Sequence, residues 1–197
     1  MITDRLKLLN ILEIDRGDHR DFMAGHCAME TVAWLDGEEH TSSPTCTCKI
    51  VAEFVRQLND AIRQTNTRSD LLRPILPRLI GTVVSDVATK RREYIIIDAT
   101  VRVFVPILLD DVGAHGYAQQ LRDLPEIVDE DTMISAETWL QLTLDENSRF
   151  GHREDIHAQV GALYDIFLIA YLRGYAFENL IYAEAVKVIE RMLEIRE

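Results

Sequence analysis

No apolar run in the chain approaches the ~20 residues that a membrane-spanning helix requires. The longest candidate, residues 94–109, is broken by Asp98, Arg102 and Pro106. The N-terminal residues do not pair a basic segment with an apolar block and a small-residue cleavage site. No signal peptide is therefore expected, and a cytoplasmic location follows as the default. Cysteine is scarce and odd in number, at Cys27, Cys46 and Cys48, which argues against a disulfide framework in a reducing compartment. The chain has no Gly-rich phosphate loop, dinucleotide fingerprint, serine nucleophile elbow or kinase signature. His152 and His157 lie five apart, whereas a metallopeptidase His-Glu-x-x-His helix needs four. Internal repeats and low-complexity tracts are missing as well.

What is present has the balance of a globular chain: 47% hydrophobic and 27% charged residues over 197 positions, which excludes intrinsic disorder. That length suits a single domain spanning residues 1–197, and any subdivision would fall near residues 125–130. The net charge of −12 is unevenly spread. Residues 1–100 carry 15 acidic and 13 basic side chains, whereas residues 101–197 carry 18 and 8. Between Arg63 and Arg92 the sign reverses, with seven basic residues against Asp70 and Asp86. Such polarity suits binding of a basic protein partner through the C-terminal half, or head-to-tail self-association, and a plainly solvated surface also accounts for it. Direct nucleic-acid binding is not expected, because Lys90-Arg91-Arg92 is too short a platform and no aromatic residues interleave with it. DNA mimicry would need carboxylates spaced like phosphates, and here they are scattered.

Periodicity points to helices. Ala28, Val32 and Leu35 share a face in a segment over residues 26–36 that Gly37 is placed to end. Ile50, Phe54, Leu58 and Ile62, flanked by Val51 and Val55, form an amphipathic stripe. Residues 63–70 read as a polar connector, and residues 71–82 as a short helical piece punctuated by Pro74 and Pro77. Residues 88–109 are rich in β-branched side chains but lack strict alternation, so a helix kinked at Pro106 is predicted. Further helices are predicted over residues 113–124, from Asp131 through Trp139 and Leu142, over residues 156–172, and around Ile181, Val188, Ile189, Met192 and Ile195. Trp34 and Trp139 are expected in the core. The sum is an all-α bundle of about seven to nine helices.

Residues 23–48 hold all three cysteines and the candidate chemistry. Cys27, Cys46 and Cys48, with His26 or His40 as a fourth ligand, supply the atom types of a zinc site, the one cofactor these residues allow. The Cys-x-Cys spacing is tighter than usual for zinc, and packing of small buried cysteines between helix ends is the simpler alternative. A third reading makes Cys27 a nucleophile, its pKa lowered at a helix N-terminus, with His40, His152 or His157 as base. His26 and Glu30, four apart, are expected to face the same way.

Several blocks occur in a shared order: Cys27-x-Met29-Glu30-x-Val32-Ala33-x-Leu35-x-Gly37-Glu38-x-His40, then Pro44-x-Cys46, Leu58-Asn59-Asp60, residues 77–82, and Val101-Arg102-Val103-Phe104-x-Pro106. Over residues 25–128 this set resembles a family of uncharacterised proteins of actinobacteria and their phages. The resemblance implies an origin and no activity. It places Cys27 and Cys46 in the shared pattern and Cys48 outside it. The expectation is a non-enzymatic helical interaction or regulatory protein whose acidic C-terminal half meets a protein partner or a second copy. A zinc-stabilised domain and a Cys27-dependent enzyme are the alternatives.

Overall fold

A helix with one apolar stripe must bury that stripe against a neighbour, and the order of such stripes along this chain determines its architecture. The computed structural model describes residues 2–146, 166–167, 170 and 172–197. Its helices are α1 (Thr3–Leu9), α2 (Ala28–Asp36), α3 (Lys49–Ala61), α4 (Thr65–Leu72), α5 (Leu76–Leu79), α6 (Asp86–Ala99), α7 (Val105–Asp111), α8 (His115–Arg122), α9 (Glu130–Glu146) and α10 (Tyr175–Glu194). A π-helical segment, Thr100–Phe104, joins α6 to α7. The fold is all-α, with no strand among the described residues. None of the described helices is long and apolar enough to cross a membrane.

The chain separates into two units, Met1–Thr89 with Ile189–Glu197, and Lys90–Val188. In the first, α2 packs on α3 and α5, and Met29, Val32 and Leu35 of α2, Phe54 and Leu58 of α3 and Leu76 and Leu79 of α5 are all buried. Gly37 closes α2 in the left-handed conformation, φ 90°, as its position predicts. Residues 10–27 form no helix beyond a turn, so side chains of later helices must satisfy their backbone polar groups. Ser69 Oγ accepts from the Ile14 amide at 2.9 Å, and Asp60 from the Gly17 amide at 2.9 Å. Arg73 donates twice to the Leu12 carbonyl, at 2.9 and 2.7 Å, and Asn59 Nδ2 to that of Asp15 at 3.1 Å. Fully buried Arg68 donates to the carbonyls of Ile14 (3.0 Å), Asn59 (2.9 Å), Ile62 and Arg63 (3.4 Å).

These contacts explain a correction. Residues 63–70 are not a connector, because α4 runs through Thr65–Leu72. Its inner face is formed by Arg68 and Ser69 together with Leu72, and an apolar periodicity cannot register polar side chains that are buried to serve another segment's backbone.

In the second unit a core of Val101, Leu109, Leu121, Ile127, Met133 and Leu140 gathers residues from the π segment, α7, α8 and α9. The helix predicted across residues 88–109 is continuous, but ahead of Pro106 it widens into a π turn, with the Val105 amide donating to the Thr100 carbonyl. Proline supplies no N–H and crowds the preceding turn, and one wider turn accommodates it. Asp98, buried, accepts from Arg102 Nη1 at 2.9 Å and from the Ile127 amide at 3.1 Å, fixing the approach to α9. That helix starts on a reciprocal cap, the Thr132 amide donating to Asp129 Oδ1 at 2.9 Å and the Asp129 amide to Thr132 Oγ1 at 3.1 Å. The segment predicted over residues 156–172 lies outside the described residues except at Ile166, Phe167, Ala170 and Leu172. Phe167 is buried there, between Phe104 and Tyr182 at 6.3 Å from each ring.

Candidate functional site

Two features carry chemistry or contact: a buried carboxylate in the first unit and an outward apolar face in the second. The first is built on α2. Cys27 is its N-cap, with extended backbone, and Glu30 occupies the third helical position, so that Glu30 Oε2 accepts from the Cys27 amide at 2.7 Å and closes a capping box. Glu30, 1% exposed, also reaches out of its helix. Its Oε1 accepts from the His19 amide at 2.7 Å, and its Oε2 from His19 Nδ1 at 2.8 Å. His40 Nε2 lies 3.4 Å from Oε1 and donates to the His19 carbonyl at 2.9 Å. One carboxylate thus clasps three separated pieces of chain. Burial alone would raise its pKa, but the His19 and Cys27 amides and the His19 ring outweigh that and hold it below the ordinary value of 4.5.

Gly25 makes the clasp sterically feasible. With φ at 139°, it lies so close to the His19 ring that a Cβ would meet His19 Cδ2 at 2.4 Å. His26 precedes α2, which begins only at Ala28, so helical spacing does not relate it to Glu30. Its ring stacks on Phe22 at 4.3 Å, and Phe22 stacks on Trp34 at 4.8 Å. Burial lowers the His26 pKa, with the Phe22 carbonyl and the Asp15 charge pulling the other way.

The cysteines separate. Asp18, Cys27 and Glu30 bring one ligand-type atom each within 4.8 Å of one another, and so do Asp36, Glu38 and Cys46. Among the described residues no such group contains two cysteines or any histidine. Cys48 is buried as the N-cap of α3, its amide donating to Thr82 Oγ1 at 3.1 Å. Glu38 is engaged by the Thr45 and Cys46 amides, both at 2.9 Å. The residues nominated for zinc therefore do not gather around a common point.

Cys27 also departs from the expected nucleophile. Burial pushes its thiol up to about 12, and the Glu30 charge beside it acts in the same direction, outweighing the helix N-terminus. Cys46 is raised to about 11, again chiefly by burial. In the native protein at pH 7, a disulfide probe should modify Cys27 roughly 10³-fold more slowly than an ordinary free thiol, from the thiolate fraction alone. Labelling followed by mass spectrometry reads this directly, and reaction of Cys27 at the free-thiol rate would contradict its buried setting.

A groove of about 740 Å³ opens beside the first turns of α3, lined by Cys48, Lys49, Glu53, Arg56, Val83 and Asp86 among others. Its Arg56 is already engaged, with Glu53 at 3.2 Å and the Ser42 carbonyl at 2.8 Å.

The second feature is α9 itself. Met133, Ala136 and Leu140 enter the core. Ile134, Trp139 and Leu142 instead remain 52, 46 and 51% exposed. At about 100° per residue these three lie within an arc of about 140°, opposite the buried set. Trp139, expected in the core, is therefore at the surface: the helix is apolar on both sides, and only one side can face inward. Trp34 is half-buried, with the Arg5 guanidinium 5.2 Å from its ring.

Fold and site together define an all-α protein with a carboxylate-clasped N-terminal loop and an outward-facing acidic, apolar helix. No protein-family model, curated protein or solved structure matches the chain.

Proposed function

We propose that this is a non-enzymatic helical interaction protein whose acidic C-terminal half contacts a protein partner or a second copy of the chain. The observation that carries the reading is the exposure of Ile134, Trp139 and Leu142 together on one side of α9. Burying one such side chain on association gains about 1.5–3 kcal/mol, so three together are enough to anchor a contact. The high thiol pKa of Cys27 favours this reading over a cysteine-dependent enzyme. A cytoplasmic setting, and the actinobacterial or phage origin implied by residues 25–128, belong to the same proposal.

The test is a double variant, Ile134→Asp with Leu142→Asp, compared with the parent chain by light scattering and by photo-crosslinking from position 138 in cells. The parent should form a complex, with itself or another protein, that the variant loses. Thermal unfolding should shift by no more than about 2 °C, as for surface substitutions. A strict monomer that crosslinks to nothing would remove the reading. So would a variant that unfolds like a core mutant.

A further inference from the structure

Taking that reading of α9 as its basis, we infer that the helix receives a basic, amphipathic helical segment of another protein. Along EDTMISAETWLQLTLDE there are five acidic residues and no basic one. So one-signed a helix favours cations arriving from outside. Among the described residues of its unit, most basic side chains are engaged elsewhere, and Lys90, whose charge Glu130 helps to stabilise, is itself shared. Lys90 is paired with Glu93, Arg102 with Asp98, Arg122 with Asp110, Arg173 with Asp111 and Lys187 with Glu184.

The same logic disfavours a second copy meeting α9 head to tail. The basic stretch that would have to do so is largely occupied within its own chain. Arg68 and Arg92 are buried, Arg73 holds the Leu12 carbonyl and Asp70, Arg78 pairs with Glu190, and Lys90 with Glu93. The spacing of the exposed side chains selects a helix as the occupant. Ile134 and Leu142 are eight positions apart, about 12 Å along the axis, close to the ~10.5 Å that apolar anchors at i, i+4 and i+7 cover on a partner helix. Basic residues flanking those anchors would meet Glu130, Asp131 and Glu137.

The experiment uses the full chain carrying Trp34→Phe, which leaves Trp139 as its single tryptophan. It is titrated with three designed peptides of about five helical turns: an amphipathic leucine–lysine helix, a scramble of the same composition without amphipathicity, and an amphipathic leucine–glutamate helix. The leucine–lysine peptide should shift the Trp139 emission. Its affinity should fall at least about tenfold between about 50 and 500 mM salt, since exposed charges are screened over that range. Adding Ile134→Asp and Leu142→Asp should abolish the shift while circular dichroism shows the fold intact. Equal binding of the scramble or of the leucine–glutamate peptide would overturn the inference. A dimer that those substitutions dissociate, with no response to the lysine peptide, would also overturn it while sparing the broader proposal, because the occupant is then a second copy. A strict monomer that answers no peptide and forms no crosslink would overturn both.

Discussion

Replacing Glu30 by alanine is expected to destabilise the protein by about 3–5 kcal/mol, because it strips a buried, multiply hydrogen-bonded carboxylate from its partners. The His19 amide, the His19 ring and the Cys27 amide all lose their acceptor at once, and the His40 ring loses its neighbour. Glu30→Gln keeps the shape but sets amide hydrogens against those donors, at a cost of about 2 kcal/mol. The pH dependence has a definite sign. The folded pKa of Glu30 lies below its ordinary value of 4.5, so its contribution is fully present above that value and is lost as pH falls through the lower folded one. Urea unfolding of the parent and Glu30→Ala chains should therefore show a gap at pH 7 that narrows as the pH is taken below 4.5. A constant gap, or a change under about 1 kcal/mol for Glu30→Ala, would show that the clasp is not what holds residues 19, 27 and 40 together.

Arg68 is the second large effect. Arg68→Met keeps much of the volume but leaves the carbonyls of Ile14, Asn59 and Ile62 without that donor in a buried site, at a cost of about 3 kcal/mol or more. Arg68→Lys should recover only part of this, since an ammonium cannot reproduce the planar fork that reaches several carbonyls. The effect should also be local. Hydrogen exchange should speed up first between residues 12 and 18, the stretch whose backbone depends on α3 and α4, before it changes in α2. Uniform acceleration, or none, would mean that the loop is held by its own contacts.

These two residues also show what the sequence conveyed and what it hid. Gly37 as the end of α2, the stripe of α3 and the all-α class were legible because each rests on local spacing or on one backbone conformation. The partners of Glu30 were not legible, since His19 and His40 reach it from either side, eleven and ten positions away. A clue did exist: Cys27 and Glu30 stand at capping-box spacing, although cysteine replaces the usual serine or threonine. The helix α4 was hidden for a different reason, because its buried face includes an arginine and a serine that serve another segment. Trp139 was misplaced because α9 is apolar on both sides, and composition cannot say which side finds a core.

In the free protein α9 presents that second apolar side to solvent. Acrylamide quenching of Trp139 in the Trp34→Phe chain tests this most directly, free and then with the leucine–lysine peptide bound. Emission like that of free indole in water, readily quenched alone and protected in the complex, is the expected result. A blue-shifted emission that acrylamide cannot reach in the free protein would contradict it, by showing that α9 is already covered.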